Sequence, residues 1–271
     1  MPFSSQITSE DITQTVDRIS AGCPIYGAVA SNDLATPVSG VFANGEIHHD
    51  RLLLVLLAGH LRPLFSTAQA QLALPLNRAV VTHSEGNVVY RVGEYTFLEF
   101  MAKNGLVTEA SHMLESSLAS YASSPVLTYE KGAHRSQWVI RHIVNVDYAT
   151  GAVTFTGKMP QGFEIAISVL RREDVIATNK ACFEEMANKI AQNNTDKYQY
   201  STLFVAACGG RYLIMSGDTS AEGACIASSP ILSRLSACGF YAMGEISPRQ
   251  TGEGPEMKNC AFNSAITLMA V

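Results

Sequence analysis

LFVAACGGRYL, residues 203–213, reads as a buried strand that ends at Cys208 and is broken by the glycine pair Gly209-Gly210. A short continuous apolar run bounded by glycines is the pattern of a strand covered on both faces. RYLIMSG, which follows the glycines, reads as another strand. About thirty residues on, ACGFYAMGEISP (237–248) repeats the theme, with Gly239 and Gly244 interrupting an apolar run and Glu245 standing alone behind the second glycine. The chain then closes on NCAFNSAITLMAV (259–271), read as one final strand.

Upstream the periodicity alternates between helix and strand. SQWVIRHIVNVD (136–147), AVTFTG (152–157) and FEIAISVLR (163–171) read as strands of a meander, separated by turn signals at Asp147–Gly151 and Pro160–Gly162. Residues 173–193 predict a long helix with Phe183, Met186 and Ile190 inward, stopped at Asn193-Asn194. AVVTH (79–83) and NVVYRV (87–92) form a hairpin pattern around Ser84-Glu85-Gly86, and RLLLVLLA (51–58) reads as a buried strand. The segment SEDITQTVDRISAG predicts a short helix with Ile12, Val16 and Ile19 on one face. Residues 95–103 and 109–121 predict two more helices.

A weak internal echo runs through the chain. Helix, Cys23-Pro-Ile-Tyr26-Gly27, polar connection and apolar strand form one unit. Helix, Cys238-Gly-Phe-Tyr241, polar connection and apolar strand form another. The fold expected is α+β, with mixed, largely antiparallel sheets flanked by helices and two pseudo-repeated halves packed together. No low-complexity linker divides them.

Composition narrows the function. Of 271 residues, 47% are hydrophobic and 16% charged, enough to bury a real core. A net charge of −5 without a basic cluster argues against nucleic-acid binding. The six cysteines lie at 23, 182, 208, 225, 238 and 260, without a CxxC pair or short zinc spacing, and read as free thiols. The polar start MPFSSQITSEDITQ lacks a signal-peptide pattern, and the apolar run at 52–58 is too short to span a bilayer. A cytoplasmic protein away from membranes is the expectation.

Chemistry-bearing residues are sparse. No GxSxG elbow and no phosphate-binding glycine motif occurs. Cys208 is the best nucleophile candidate, with Gly209 and Gly210 behind it, but a packed core thiol is the simpler reading. His48-His49, near Glu46 and Asp50, would point to opposite faces of a strand and reads as a solvated loop. Arg211 and Glu245 are the pair to follow. An arginine fork suits a carboxylate and a glutamate suits an ammonium, so the two could hold an amino acid in a pocket lined by Phe240, Tyr241 and Met243. Alternatively they pair with each other and tie two strands.

In their order along the chain, LFVAACGGRYL, ACGFYAMGEISP and NCAFNSAITLMAV resemble the C-terminal FIST domain. Cys208, Gly209 or Gly210, Arg211, Gly239, Phe240, Gly244, Glu245 and Ile246 fill its motif positions. Ala261-Phe262-Asn263-Ser264 departs from the family's His-Asn. GCPIYGAVASND, VFANGEIHHDRLLLVLLAGHL and VVTHSEGNVVYRVGEYTFLEF resemble the second half of the N-terminal FIST domain, which divides the chain into 1–92 and 93–271. The first half of that N-terminal domain is expected to be missing. The resemblance implies a non-catalytic cytoplasmic sensor for a small ligand. The ligand residues would be Cys208, Gly209, Gly210, Arg211, Phe240, Tyr241, Gly244 and Glu245. The signal would leave through a partner such as a histidine kinase, and a homodimer is possible. The resemblance also implies an alternative, a haem-based nitric oxide sensor, for which His134 or His142 could ligate the iron. From the residues themselves two further alternatives stand: a Cys208-dependent hydrolase or transferase, and a scaffold without ligand.

Overall fold

A computed structural model describes residues 8–20, 22–30, 39–70, 77–105, 126–130, 138–250 and 257–271. Along the N-terminal part run α1 (Ser9–Ser20), β1 (Gly27–Ala28), β2 (Val41–Ala43), β3 (Glu46–His48), β4 (Leu64–Gln69), β5 (Arg78–Glu85), β6 (Val88–Val92), β7 (Tyr95–Thr96) and α2 (Phe97–Lys103). The middle holds β8 (Val126–Tyr129), β9 (Val139–Arg141), β10 (Ile143–Asp147), β11 (Ala152–Phe155), β12 (Glu164–Ile167) and α3 (Arg172–Asn193). The last part holds β13 (Thr202–Cys208), α4 (Gly209–Ile214), α5 (Ser220–Ser228), β14 (Ser236–Ala242), β15 (Glu245–Gln250), β16 (Met257–Phe262) and β17 (Ala265–Ala270). The chain is therefore mixed α+β with largely antiparallel sheets.

The largest sheet has the order β10-β11-β6-β5-β12-β8-β9, with β7 added beside β6. Its two ends are successive parts of one run, residues 139–147, interrupted only at His142. β9 pairs with β8 and β10 pairs with β11, so the sheet curls back on itself. Inside lie Val81, Val89, Val126, Ile143, Val153, Phe155 and Ile165. Phe97, Phe100 and Met101 of α2 belong to the same core. A capping box starts that helix: Thr96 Oγ1 accepts from the Glu99 N–H, and the Glu99 carboxylate accepts from the Thr96 N–H at 2.7 Å.

The second sheet has the order β14-β13-β17-β4. One face carries Leu203, Val205, Ala207, Ile266, Leu268 and Ala270, and α3 covers it with Cys182, Phe183, Met186 and Ile190. The period-2 alternation of strands against the helical repeat of α3 produces this layer. β13 and β14 are parallel, and α4 and α5 make the crossover that a parallel pair requires. Strands from the first ninety residues are built into sheets with the rest. β1 pairs with β15, β4 with β17, and β5 with β12.

Several expectations from sequence need correction. Residues 51–58 form no strand, and Leu52 to Leu57 are exposed, from 45% at Leu53 to 84% at Leu56. An apolar run signals a need for burial but does not supply a neighbouring strand, and none among the described residues pairs with it. RYLIMSG enters the helix α4 instead of a strand, ending where Ser216 and Gly217 take left-handed backbone angles of 56° and 80°. NCAFNSAITLMAV is two strands turning at Asn263-Ser264, where Ser264 has φ 53°. In α1 the buried residue is Thr13, while Ile19 is exposed. The helix expected at 109–121 lies outside the described residues.

Candidate functional site

The end of β13 and the first turn of α4 carry Arg211 into the interior, where it has no solvent exposure. Its Nη1 donates to the Ser264 carbonyl at 3.3 Å. Its Nη2 donates to the Val175 carbonyl at 3.2 Å and to the side-chain oxygen of Asn179. The guanidinium thus ties α4 to α3 and to the turn between β16 and β17. Glu245, the first residue of β15, is equally buried. Its Oε2 accepts from the Ala265 N–H at 3.2 Å, and its Oε1 has no hydrogen-bond partner among the described residues. No ion pair joins Arg211 and Glu245 among the described residues. Neither expectation for this pair is thereby met in its simple form: they do not clasp each other, and Arg211 is occupied by main-chain and amide oxygens.

Cys208 lies in the same interior. Burial, followed by the nearby Glu245 carboxyl, pushes its thiol up to about 12. Burial likewise raises the Glu245 carboxyl well above the usual range, against the opposing pull of the Ala265 N–H and Arg211. Burial thus biases both the Glu245 carboxyl and the Cys208 thiol toward their neutral forms, with the Arg211 cation nearby.

Phe240 and Tyr241 occupy a different place. They line an open groove of about 210 Å³ between β14 and α5, together with Val205, Ala207, Glu222 and Ile226. The groove is connected to the buried arginine by hydrogen bonds. Tyr241 Oη donates to Glu222 Oε2 at 2.9 Å, and Asn179 Nδ2 donates to Glu222 Oε1 at 3.1 Å. The oxygen of the same Asn179 amide receives Arg211. The sequence-predicted residues therefore fall into two groups: Cys208, Arg211 and Glu245 inside, Phe240 and Tyr241 at the surface. Asn179 and Glu222, which the sequence reading did not single out, join them.

Beyond Ser264 the polar chain continues. Ser264 Oγ meets His142 Nε2 at 2.5 Å, at the corner between β9 and β10. Asn263 Oδ1 accepts from Arg141 Nη1 at 3.2 Å and from Thr156 at 2.9 Å, and Arg141 pairs with Glu10 of α1. The Asn263-Ser264 turn thus links the curled sheet to the four-stranded one.

The order of these motifs is matched at the family level. The FIST C domain matches residues 106–248, more than half of the chain. The chain belongs to the FIST family. The FIST N domain matches residues 2–94. No curated protein and no solved structure matches it. FIST domains are associated with signal-transduction sensing.

In this FIST chain the motif glycines serve close approach. A side chain at Gly209 would stand 3.3 Å from the Ala242 carbonyl, and one at Gly244 3.2 Å from the Phe262 carbonyl. Gly210 sits in the first turn of α4. A haem does not fit at His142, which is buried with Nε2 engaged by Ser264. His134 lies outside the described residues. Among the described residues no three His, Cys, Asp or Glu cluster as metal ligands, and no helix is long and apolar enough to cross a membrane.

Proposed function

We propose that this FIST protein is a cytoplasmic sensory module that binds a small ligand in the groove between β14 and α5 and signals through a partner protein such as a histidine kinase. The ligand class the groove suits is an amine with an apolar body, including an apolar amino acid. Val205, Ala207 and Ile226 offer the apolar walls. Glu222 offers a carboxylate whose two oxygens are held by neutral donors, Tyr241 and Asn179, and no cation is paired with it among the described residues. A pocket with apolar walls and one oriented charge is the usual architecture of a small-molecule site.

The observation that carries this reading is the hydrogen-bonded run Tyr241–Glu222–Asn179–Arg211. An ammonium drawing on Glu222 would loosen its hold on Asn179, and through it alter the seat of Arg211 against the 263–264 turn. That supplies differential contact between bound and free states, which a sensor needs. Catalysis by Cys208 has less support, because its thiol is buried and held neutral.

A thermal-shift screen against amino acids, amines and hemin tests the reading. A ligand at one hundred times its Kd adds about 2.7 kcal/mol to native stability. The expected result is a shift with apolar amines that Glu222→Gln abolishes while the variant still melts cooperatively. A Soret band with hemin would favour the haem reading instead, and a shift unchanged in Glu222→Gln would move the site elsewhere.

A further inference from the structure

The chain displays both an unused strand and an unused sheet edge. Leu52 to Leu57 is six consecutive apolar residues in the open, with no hydrogen bond from 52–58 to the rest of the chain among the described residues. Among the described residues β14 pairs with β13 alone, and its residues Ser236 to Phe240 are exposed. Natural edges are usually blunted by charge, proline or a bulge. SACGFYA has no charge and no proline, and its register with β13 is unbroken.

The two features match in detail. A run apolar at every position has apolar side chains on both faces when extended. β14 offers an apolar environment on both faces: the groove with Val205, Ala207 and Ile226 on the α5 side, and Phe240, 57% exposed, on the other. The apolar run 52–58 and β14 are both seven residues long. We infer that two copies of this chain exchange these segments, each laying residues 51–58 along the free edge of the other's β14. The occupant of the edge is the same chain, because the chain carries donor and acceptor together and reciprocal exchange closes the symmetry without leaving an edge.

The area suffices. Fully burying one such side chain removes roughly 60–120 Å² from water. With the exposures of Leu52 to Leu57, two exchanged strands and the surfaces they cover amount to roughly 900–1,800 Å², which overlaps the roughly 1,200–2,000 Å² of stable interfaces. The added strand would also wall the open side of the groove, so the partner copy supplies part of the ligand site. The dimer itself does not depend on the groove's being occupied.

Light scattering after size exclusion, across the micromolar range, tests this with no ligand present, so its failure is separate from failure of the ligand screen. The expected result is a dimer that Leu54→Asp/Leu56→Asp converts to a folded monomer, both positions being exposed within the protomer. Cys238, exposed in the middle of β14, reports the acceptor edge. Its alkylation, followed on its own peptide, should be roughly tenfold or more slower in the dimer than in the double variant. A wild-type monomer throughout the range overturns the proposal. So does a dimer that survives the double substitution, a ladder of open-ended oligomers, or equal Cys238 labelling in both proteins.

Discussion

Arg211 donates to the side-chain oxygen of Asn179, and neither residue has any solvent exposure. This bond joins the helix after β13 to the long helix α3, and it is the inner end of the run that begins at Tyr241. Replacing the cation leaves three oxygens, those of Asn179, Val175 and Ser264, without their donor. Arg211→Met should therefore destabilise the protein by about 3–5 kcal/mol, the cost of breaking a buried charged network from one side. Arg211→Lys should rescue little of this, since one ammonium cannot reproduce the planar fork. Urea unfolding of the three proteins measures it, and a Met variant within experimental error of wild type would refute the structural role.

Glu245 gives a pH dependence with a definite sign. Its carboxyl is raised in the folded state, by burial first, so its contribution is fully present below the ordinary carboxylate range and is lost as pH rises through the folded value. Stability should therefore fall with rising pH above about 4.5, by up to about 1.4 kcal/mol per unit within that window. Glu245→Gln retains an oxygen for the Ala265 N–H and has no proton to lose. It should match wild type near pH 4 and exceed it at neutral pH. Parallel stability curves for the two proteins would show that Glu245 titrates as an ordinary carboxylate.

Much of the fold was legible because patterning reports burial. The continuous apolar run in STLFVAAC and the helical spacing of Phe183, Met186 and Ile190 both describe real parts of one layer. What patterning does not report is the partner. RLLLVLLA has the composition of a buried strand and no strand beside it, and RYLIMSG is too short for periodicity to separate helix from strand. The site was half legible. Arg211 and Glu245 stood out by being charged among apolar residues, and both are indeed buried. Asn179 and Glu222 were not visible, because each sits on a helix with ordinary polar neighbours. Only the packing of α3 against α5 turns them toward Arg211 and Tyr241. A polar residue on the apolar stripe of a long helix, as Asn179 is between Val175 and Phe183, is the signal that could have found it.

The thiols should separate sharply in reactivity. Cys23 and Cys238 are exposed, whereas Cys182 and Cys208 are buried and their thiols are pushed up to about 12 by burial. A rise of three units lowers the thiolate fraction roughly a thousandfold, on top of the steric block. Under native conditions at neutral pH, a maleimide should modify Cys23, and Cys238 wherever β14 is open, long before Cys182 or Cys208. Peptide mapping over time reads the order. Early modification of Cys208 would reveal an activated nucleophile and revive the enzymatic reading.

Two glycines should respond in opposite directions to alanine. At Gly239 a Cβ would come within 2.6 Å of the Val205 carbonyl oxygen and 2.8 Å of the Val205 Cβ, across the parallel pair β13–β14. A carbonyl fixed in a sheet cannot move aside as a flexible side chain can, so the strands must part. Gly239→Ala should cost about 1–3 kcal/mol, the usual penalty of overpacking. Gly223, in α5, has nothing within 4 Å of the same atom. There alanine relieves the conformational entropy of glycine in a helix, and Gly223→Ala should gain about 0.5–1 kcal/mol. A double variant should therefore still lose up to about 2.5 kcal/mol relative to wild type. Equal effects at the two positions in thermal or urea unfolding would mean that β14 does not lie against β13 as closely as found here.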